Sequence, residues 1–124
     1  MKYKNILQID DDFDDCEFFE DALKTVSDAA YTAVHNPIDA LNKLINQEVI
    51  PDLIIVDVNM PFMTGPELIN EIKKRQTIKD IPVIILSTSS LCSPAGSSFS
   101  GAEDYLIKPC TFTELQNLII KNIC

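Results

Sequence analysis

A run of four apolar residues, Leu53–Val56, limits what this chain can fold into, because a strand that is apolar on both faces must be covered on both. Parallel sheets with helices on each side provide that cover. Asp57 follows directly, where the strand should end, and Asn59–Pro61 then turn the chain away. An aspartate at this place is either a turn residue or a reactive group, because α/β proteins bind ligands at the carboxyl ends of their strands.

The rest of the chain alternates short apolar segments with segments of helical periodicity. We predict strands over Lys4–Ile9, Tyr31–His35, Leu53–Val56, Ile81–Leu86 and Tyr105–Ile107, and helices over Asp14–Val26, Pro37 to about Gln47, Pro66 to about Arg75 and Phe112–Ile123. This alternation predicts an α/β fold with a five-stranded parallel sheet of order 2-1-3-4-5, a flavodoxin-like (βα)5 arrangement.

Two helices of this arrangement have distinctive sequences. In the second, Ile38, Leu41, Leu44 and Ile45 are predicted to face the core. The segment Leu91–Gly101, where a fourth helix belongs, contains two glycines, a proline and several serines. Because glycine and serine disfavour helix interiors, we predict that this fourth helix is short or irregular.

Length and charge narrow the possible functions. The chain has 124 residues, which suits a single domain over residues 1–124, and a net charge of −9. An acidic surface repels phosphates and anionic lipids, so we expect neither a nucleic acid nor a membrane partner.

No Cys-x-x-Cys pair is formed by the four cysteines, Cys16, Cys92, Cys110 and Cys124. We interpret them as reduced thiols of a cytoplasmic protein, and the single histidine, His35, as structural.

Polar residues follow the predicted strands at their carboxyl ends. They are Asp10 and Asp11 after the first strand, Asp57 after the third, Ser87 after the fourth and Lys108 after the fifth. Since parallel strands end at the same edge of the sheet, we expect the three carboxylates to share one crevice, where mutual repulsion would raise their pKa values. Mg²⁺ relieves such repulsion and prefers oxygen ligands.

A metal ion, a lysine and a hydroxyl around one carboxylate are typical of a phosphoryl-transfer site in which the carboxylate is the nucleophile. The alternative is an acidic, solvated helix N-terminus with an unrelated lysine. The number of polar residues that end strands favours the phosphoryl site.

The motifs Ile9–Asp12, Asp57–Pro61, Gly65, Ser87 and Tyr105–Pro109 carry a resemblance to a known family. Over its whole length the chain resembles a receiver domain of the two-component response regulators. The acidic run Asp10–Asp15 is also similar to stand-alone receivers in which a second acidic pair opens the first helix.

The resemblance implies roles for the acidic residues. Asp57 would accept a phosphoryl group from a histidine kinase or phosphotransfer protein. Asp11 and Asp57 would bind Mg²⁺ directly, together with the backbone carbonyl of Asn59, and Asp10 would hold the ion through water. Such a protein is not an enzyme beyond its own phosphorylation and dephosphorylation.

The resemblance also implies a conformational switch. Lys108 would pair with the phosphoryl oxygens, and the Lys108–Pro109 bond would be cis. Ser87 would move to bind the phosphoryl group, and Tyr105 would swing inward in response. This change would relay the signal to a downstream protein whose identity the sequence does not reveal.

Three other functions compete with this one. A flavin mononucleotide carrier would need a phosphate loop where Asp10–Asp15 stand, and a haloacid-dehalogenase-type hydrolase would need an Asp-x-Asp-x-Thr motif that is missing there. A receiver-like scaffold that binds proteins without phosphorylation remains the alternative. Because the last predicted helix ends just before Cys124, we expect a stand-alone receiver or one trimmed from a longer protein.

Overall fold

The computed structural model describes residues 3–58, 60–87, 104–109 and 111–123. The elements alternate along the chain as β1 (Asn5–Ile9), α1 (Phe13–Val26), β2 (Ala30–Val34), α2 (Pro37–Ile45), β3 (Leu53–Val56), α3 (Gly65–Lys73), β4 (Val83–Ser87), β5 (Asp104–Ile107) and α4 (Phe112–Asn122). The predicted short fourth helix, within Leu91–Gly101, lies outside the described residues, as does Asn59.

The strands form one parallel sheet in the order β2-β1-β3-β4-β5, as predicted. Ile9 pairs with Val56 across the central strands β1 and β3. The backbone N–H of Asp57 donates to the carbonyl oxygen of Ile9 at 3.0 Å, and that of Asp10 donates to Val34 at 3.1 Å. The hydrogen-bonded ladder therefore continues one residue beyond the strands and fixes the backbone of both aspartates.

Strand β3 is buried on both faces. Ile54 and Val56 pack against the helices α2 and α3 on one side of the sheet. Leu53 and Ile55 pack with α1 and α4 residues such as Phe19 on the other side. All four β3 side chains are at most 1% exposed. The two-sided burial inferred from the apolar run is confirmed.

Helix α2 buries Leu41 and Leu44 as predicted, but not Ile38 and Ile45. Ile38 and Ile45 are 44% and 38% exposed, whereas Ala40, Leu41 and Leu44 are buried. Each helical residue turns the side chain by about 100°, so Ile38 and Ile45, seven residues apart, point in nearly the same direction and lie together on one flank of the buried stripe that includes Ala40.

The Lys108–Pro109 peptide bond was expected to be cis, and this expectation was wrong, because none of the described residues has a cis bond. Trans is the favoured isomer before proline by about 0.5–1 kcal/mol.

Candidate functional site

Three carboxylates meet at the carboxyl edge of the sheet. Oxygen atoms of Asp10, Asp11 and Asp57 all lie within 4.8 Å of one another. Asp10 and Asp57 follow the paired strands β1 and β3, so the register of these strands brings the two side chains together. Asp10 is buried, Asp57 is half-buried and Asp11 is exposed at the mouth of the cluster. The convergence predicted from the strand ends is confirmed for these residues.

The buried carboxylate of Asp10 has a partner on each oxygen. Oδ1 accepts a hydrogen bond from the backbone N–H of Asp12 at 3.0 Å, and Oδ2 accepts one from Nζ of Lys108 at 2.6 Å. Burial raises the pKa of Asp10, while the bonds from Lys108 and Asp12 act in the opposite direction. The loop that carries Asp10 is also held by His35, whose Nδ1 lies 3.0 Å from the Asp10 carbonyl oxygen. Since a carbonyl only accepts, His35 must carry a proton on Nδ1.

Lys108 follows β5 and extends its ammonium into the acidic cluster. Nζ lies 2.6 Å from Asp10 Oδ2, 2.8 Å from Asp15 Oδ2 and 3.7 Å from Asp57 Oδ1. Burial alone would lower the pKa of Lys108, but the hydrogen bonds to Asp10 and Asp15 outweigh it and raise the pKa. The ammonium is therefore charged at neutral pH. The contact with Asp57 is too long for a hydrogen bond, so its attraction to Asp57 is electrostatic.

The carboxyl group of Asp57 has an unusually high proton affinity. Burial is the main cause and raises its pKa to about 6, and the charges of Asp10 and Asp11 add to the rise. Lys108 and the backbone N–H of Val58 oppose it. The lysine leaves the excess negative charge only partly compensated, and a cation among the three carboxylates would complete the compensation.

The donor set fits Mg²⁺. All candidate ligand atoms of Asp10, Asp11 and Asp57 are carboxylate oxygens, and their unequal burial leaves one side of the cluster open to water. Mg²⁺ prefers hard oxygen ligands and keeps several of its waters, which suits a half-open acidic cluster better than a closed cage. The further predicted ligand, the carbonyl of Asn59, lies outside the described residues.

The two predicted switch residues lie at the expected places in the backbone. Ser87 is the last residue of β4 and pairs with Ile107, the residue before Lys108. Tyr105 lies within β5 and pairs with Ile85. Their side chains lie outside the described part of the molecule. Their roles in a switch therefore stay predictions.

One residue of the site, Asp15, was not recognised as part of it from the sequence. The sequence assigned Asp15 only to an acidic helix start, but its Oδ2 accepts a hydrogen bond from Lys108 Nζ at 2.8 Å. Gly65, one of the motif residues, opens α3 behind the loop that carries Asp57, and its backbone N–H donates to the Val58 carbonyl at 2.9 Å. No helical spacing marked Asp15, because Asp11, four positions before it, precedes the N-cap Asp12 and lies outside the helix.

Helix α3 begins with a capping box. The hydroxyl of Thr64 accepts from the Glu67 backbone N–H, and the Glu67 carboxylate accepts from the Thr64 backbone N–H. This reciprocal pair fixes where the helix starts after the Asp57 loop.

None of the described helices is long and apolar enough to cross a membrane.

Comparison with known sequences gives a consistent family assignment. The model of the response regulator receiver domain matches residues 6–120. The two-component response regulator ARR6 of Arabidopsis thaliana is 32% identical over 92% of this chain, and the alignment spans 66% of that protein, slightly under two thirds. The response regulator ORR5 of Oryza sativa is 33% identical over 92% of this chain and 84% of its own length.

Solved structures agree with the sequence comparison. A phosphorylated cyanobacterial phytochrome response regulator, RcpA, superposes with a TM-score of 0.82 at 28% identity, covering 94% of this chain and 89% of its own. The response regulator TrrA of Thermotoga maritima, in complex with Mg²⁺ and BeF, gives a TM-score of 0.78 at 30% identity and covers 95% and 97%. The Mn²⁺-bound response regulator Rcp1 also gives a TM-score of 0.78, at 28% identity over 94% and 91%.

Proposed function

Because this chain belongs to the response regulator receiver domain family of two-component signalling, we propose that Asp57 is its phosphoryl acceptor. The observation that carries the proposal is the position of Asp57 between two other carboxylates and a charged lysine, with Lys108 Nζ 3.7 Å from Asp57 Oδ1. Such a site offers a carboxylate nucleophile and positive charge for the incoming phosphoryl oxygens.

The donor in this proposal is the phosphohistidine of a histidine kinase or phosphotransfer protein. An oxygen of the Asp57 carboxylate attacks phosphorus and forms a new P–O bond. The P–N bond to the donor imidazole breaks, and the imidazole leaves with the electron pair and takes up a proton from solvent. Water later attacks phosphorus, which releases inorganic phosphate and regenerates the carboxylate.

Mg²⁺ is the proposed cofactor. Asp11 and Asp57 would bind it directly with the Asn59 carbonyl, and Asp10 would hold it through water. When bound, the ion would neutralise negative charge on the carboxylates and on the phosphoryl oxygens. The buried position of Asp10, with both oxygens already hydrogen-bonded, supports an indirect role for this residue.

Lys108 contributes a compact cation beside the reacting carboxylate. After phosphorylation its ammonium would donate to a phosphoryl oxygen, and Ser87 and Tyr105 would shift to the phosphorylated arrangement. A downstream protein would then select between the two arrangements, which is a population shift driven by the phosphoryl group.

Intact-mass spectrometry after incubation with acetyl phosphate and Mg²⁺ tests the proposal. The wild-type chain should gain one phosphoryl group, and Asp57→Asn should gain none. Asp39→Asn, which neutralises an exposed aspartate of α2, is the matched control and should be labelled like wild type. Equal labelling of Asp57→Asn would reject the acceptor, and a wild type that is never labelled would favour a scaffold that works without phosphorylation.

A further inference from the structure

Asp15 forms a charge pair with Lys108 that the phosphoryl chemistry described above does not use. Its Oδ2 accepts a hydrogen bond from Lys108 Nζ at 2.8 Å, almost as short as the 2.6 Å bond from the same ammonium to Asp10. Asp57, the proposed acceptor, lies farther from that ammonium, at 3.7 Å. In the resting molecule the lysine is therefore bonded to two carboxylates that do not react.

The two resting partners of Lys108 differ in how firmly they hold it. The Asp10 side chain is 1% exposed and emerges from the central strand β1, so its position is set by the sheet. The Asp15 side chain is 35% exposed and projects from the first turn of α1. Ion pairs that contact water are weak and break at little cost. Asp15 is therefore the partner that the lysine would release first.

The surroundings of the pair leave room for that release. A cavity of about 300 Å³ lies beside Asp15 and Lys108 and is otherwise lined mainly by apolar side chains, among them Phe18, Leu86 and Leu115. On this side the two charged groups are restrained by their mutual attraction and not by close packing. An ammonium has three N–H donors, so Lys108 could keep Asp10 while it exchanges Asp15 for another anion.

We propose that Asp15 is a positioning residue that holds Lys108 in the resting state and competes with the phosphoryl group for its ammonium. This inference rests on the proposed phosphorylation of Asp57. Phosphorylation places new anionic oxygens beside Nζ, and the ammonium turns from Asp15 to them. The Asp15–Lys108 pair thereby sets part of the free-energy difference between the resting and phosphorylated arrangements.

Beryllofluoride binding at saturating Mg²⁺, followed by ¹⁹F NMR titration, tests the competition without requiring turnover. Asp15→Asn removes the competing charge and should lower the dissociation constant of beryllofluoride by about two- to fivefold, the range expected when one partly exposed ion pair is removed. Asp15→Glu restores a carboxylate within reach of the lysine and should return the affinity toward that of wild type.

Asp14→Asn is the matched control, since it makes the same charge change at an exposed neighbouring position in the same helical turn. It should leave the dissociation constant close to the wild-type value. An Asp15→Asn protein that binds beryllofluoride no more tightly than Asp14→Asn, or more weakly than wild type, would overturn the role of Asp15. A wild-type protein that binds no beryllofluoride at all would instead reject the proposed phosphoryl site.

Discussion

A Cβ atom placed on Gly65 would lie 2.5 Å from the carbonyl oxygen of Asp57, well inside van der Waals contact. Backbone atoms of Asp57 and Val58 surround this point, so no flexible side chain could yield. Gly65 therefore lets the first turn of α3 approach the loop that carries Asp57.

Replacing Gly65 by alanine should push the Asp57 backbone away from its place in the cluster. We expect Gly65→Ala to lower the free energy of unfolding by about 1–3 kcal/mol, the usual cost of overpacking, and to slow phosphorylation by acetyl phosphate. Urea unfolding and intact-mass labelling measure the two effects. Asn70→Ala, at an exposed position of the same helix, is the control and should change neither the stability nor the labelling rate. A Gly65→Ala protein with wild-type stability and labelling rate would contradict the close approach of α3 to the Asp57 backbone.

The raised pKa of Asp57 predicts how the metal-free protein responds to pH. An acid whose pKa is higher in the folded state favours folding when protonated, and this contribution is lost as pH rises through the folded-state pKa. For Asp57 the pKa rises from 3.8 to about 6, which corresponds to about 3 kcal/mol. In EDTA, urea unfolding should therefore show stability falling between about pH 4 and pH 7.

The Asp57→Asn variant provides the control for this pH effect. Asparagine does not titrate, so its loss of stability over the same pH interval should be clearly smaller than that of wild type. The variant should also be more stable than wild type in EDTA at pH 7, because one half-buried charge has been removed from the acidic cluster. Parallel pH profiles for the two proteins would show that another group is responsible.

Asp11 is expected to support metal binding without a large effect on stability, because its side chain is exposed. Asp11→Ala should weaken Mg²⁺ binding by at least about tenfold, since even outer partners of metal ligands contribute that much, and should slow phosphorylation in parallel. Isothermal titration calorimetry gives the affinity. Asp14→Ala removes an exposed acidic side chain nearby and should bind Mg²⁺ nearly as wild type does. Normal Mg²⁺ binding by Asp11→Ala would rule out the proposed ligand set.

Removal of the Lys108 ammonium should affect stability as well as chemistry. Lys108→Ala leaves the carboxylate of Asp10, which is 1% exposed, without its cation, and loss of one partner of a buried ion pair typically costs about 3 kcal/mol or more. We expect this loss in urea unfolding with EDTA and a partial recovery with Mg²⁺. Lys24→Ala, which breaks the exposed pair with Glu20, should change stability by less than about 1 kcal/mol.

Much of the fold and the acidic cluster followed from the sequence because both depend on strand ends. A four-residue apolar run requires cover on both faces, and the parallel order then brings Asp10 and Asp57 to one edge whatever their rotamers. The approach of Lys108 to that edge follows in the same way from the place of β5 in the sheet.

The contact of Asp15 with Lys108 could not be predicted from the sequence, because it depends on where α1 begins. The sequence suggested a start at Asp14, which made Asp14 and Asp15 equivalent members of an acidic turn. In the structure Asp12 is the N-cap and accepts hydrogen bonds from the backbone of both residues. Since successive helical side chains differ by about 100°, only Asp15 of the two reaches Lys108. The same sensitivity to helix phase explains the exposed Ile38 and Ile45 of α2.

The bond between Lys108 and Asp10 joins residues 98 positions apart in the chain. A ribosome has therefore to synthesise β5 before the cluster built by β1 and β3 receives its lysine. A nascent chain that has been made only through β3 would lack Lys108, so the carboxylates of Asp10 and Asp57 would have no ammonium beside them. The compensated site is thus complete only when most of the chain has been made, because its lysine follows the last strand of the sheet.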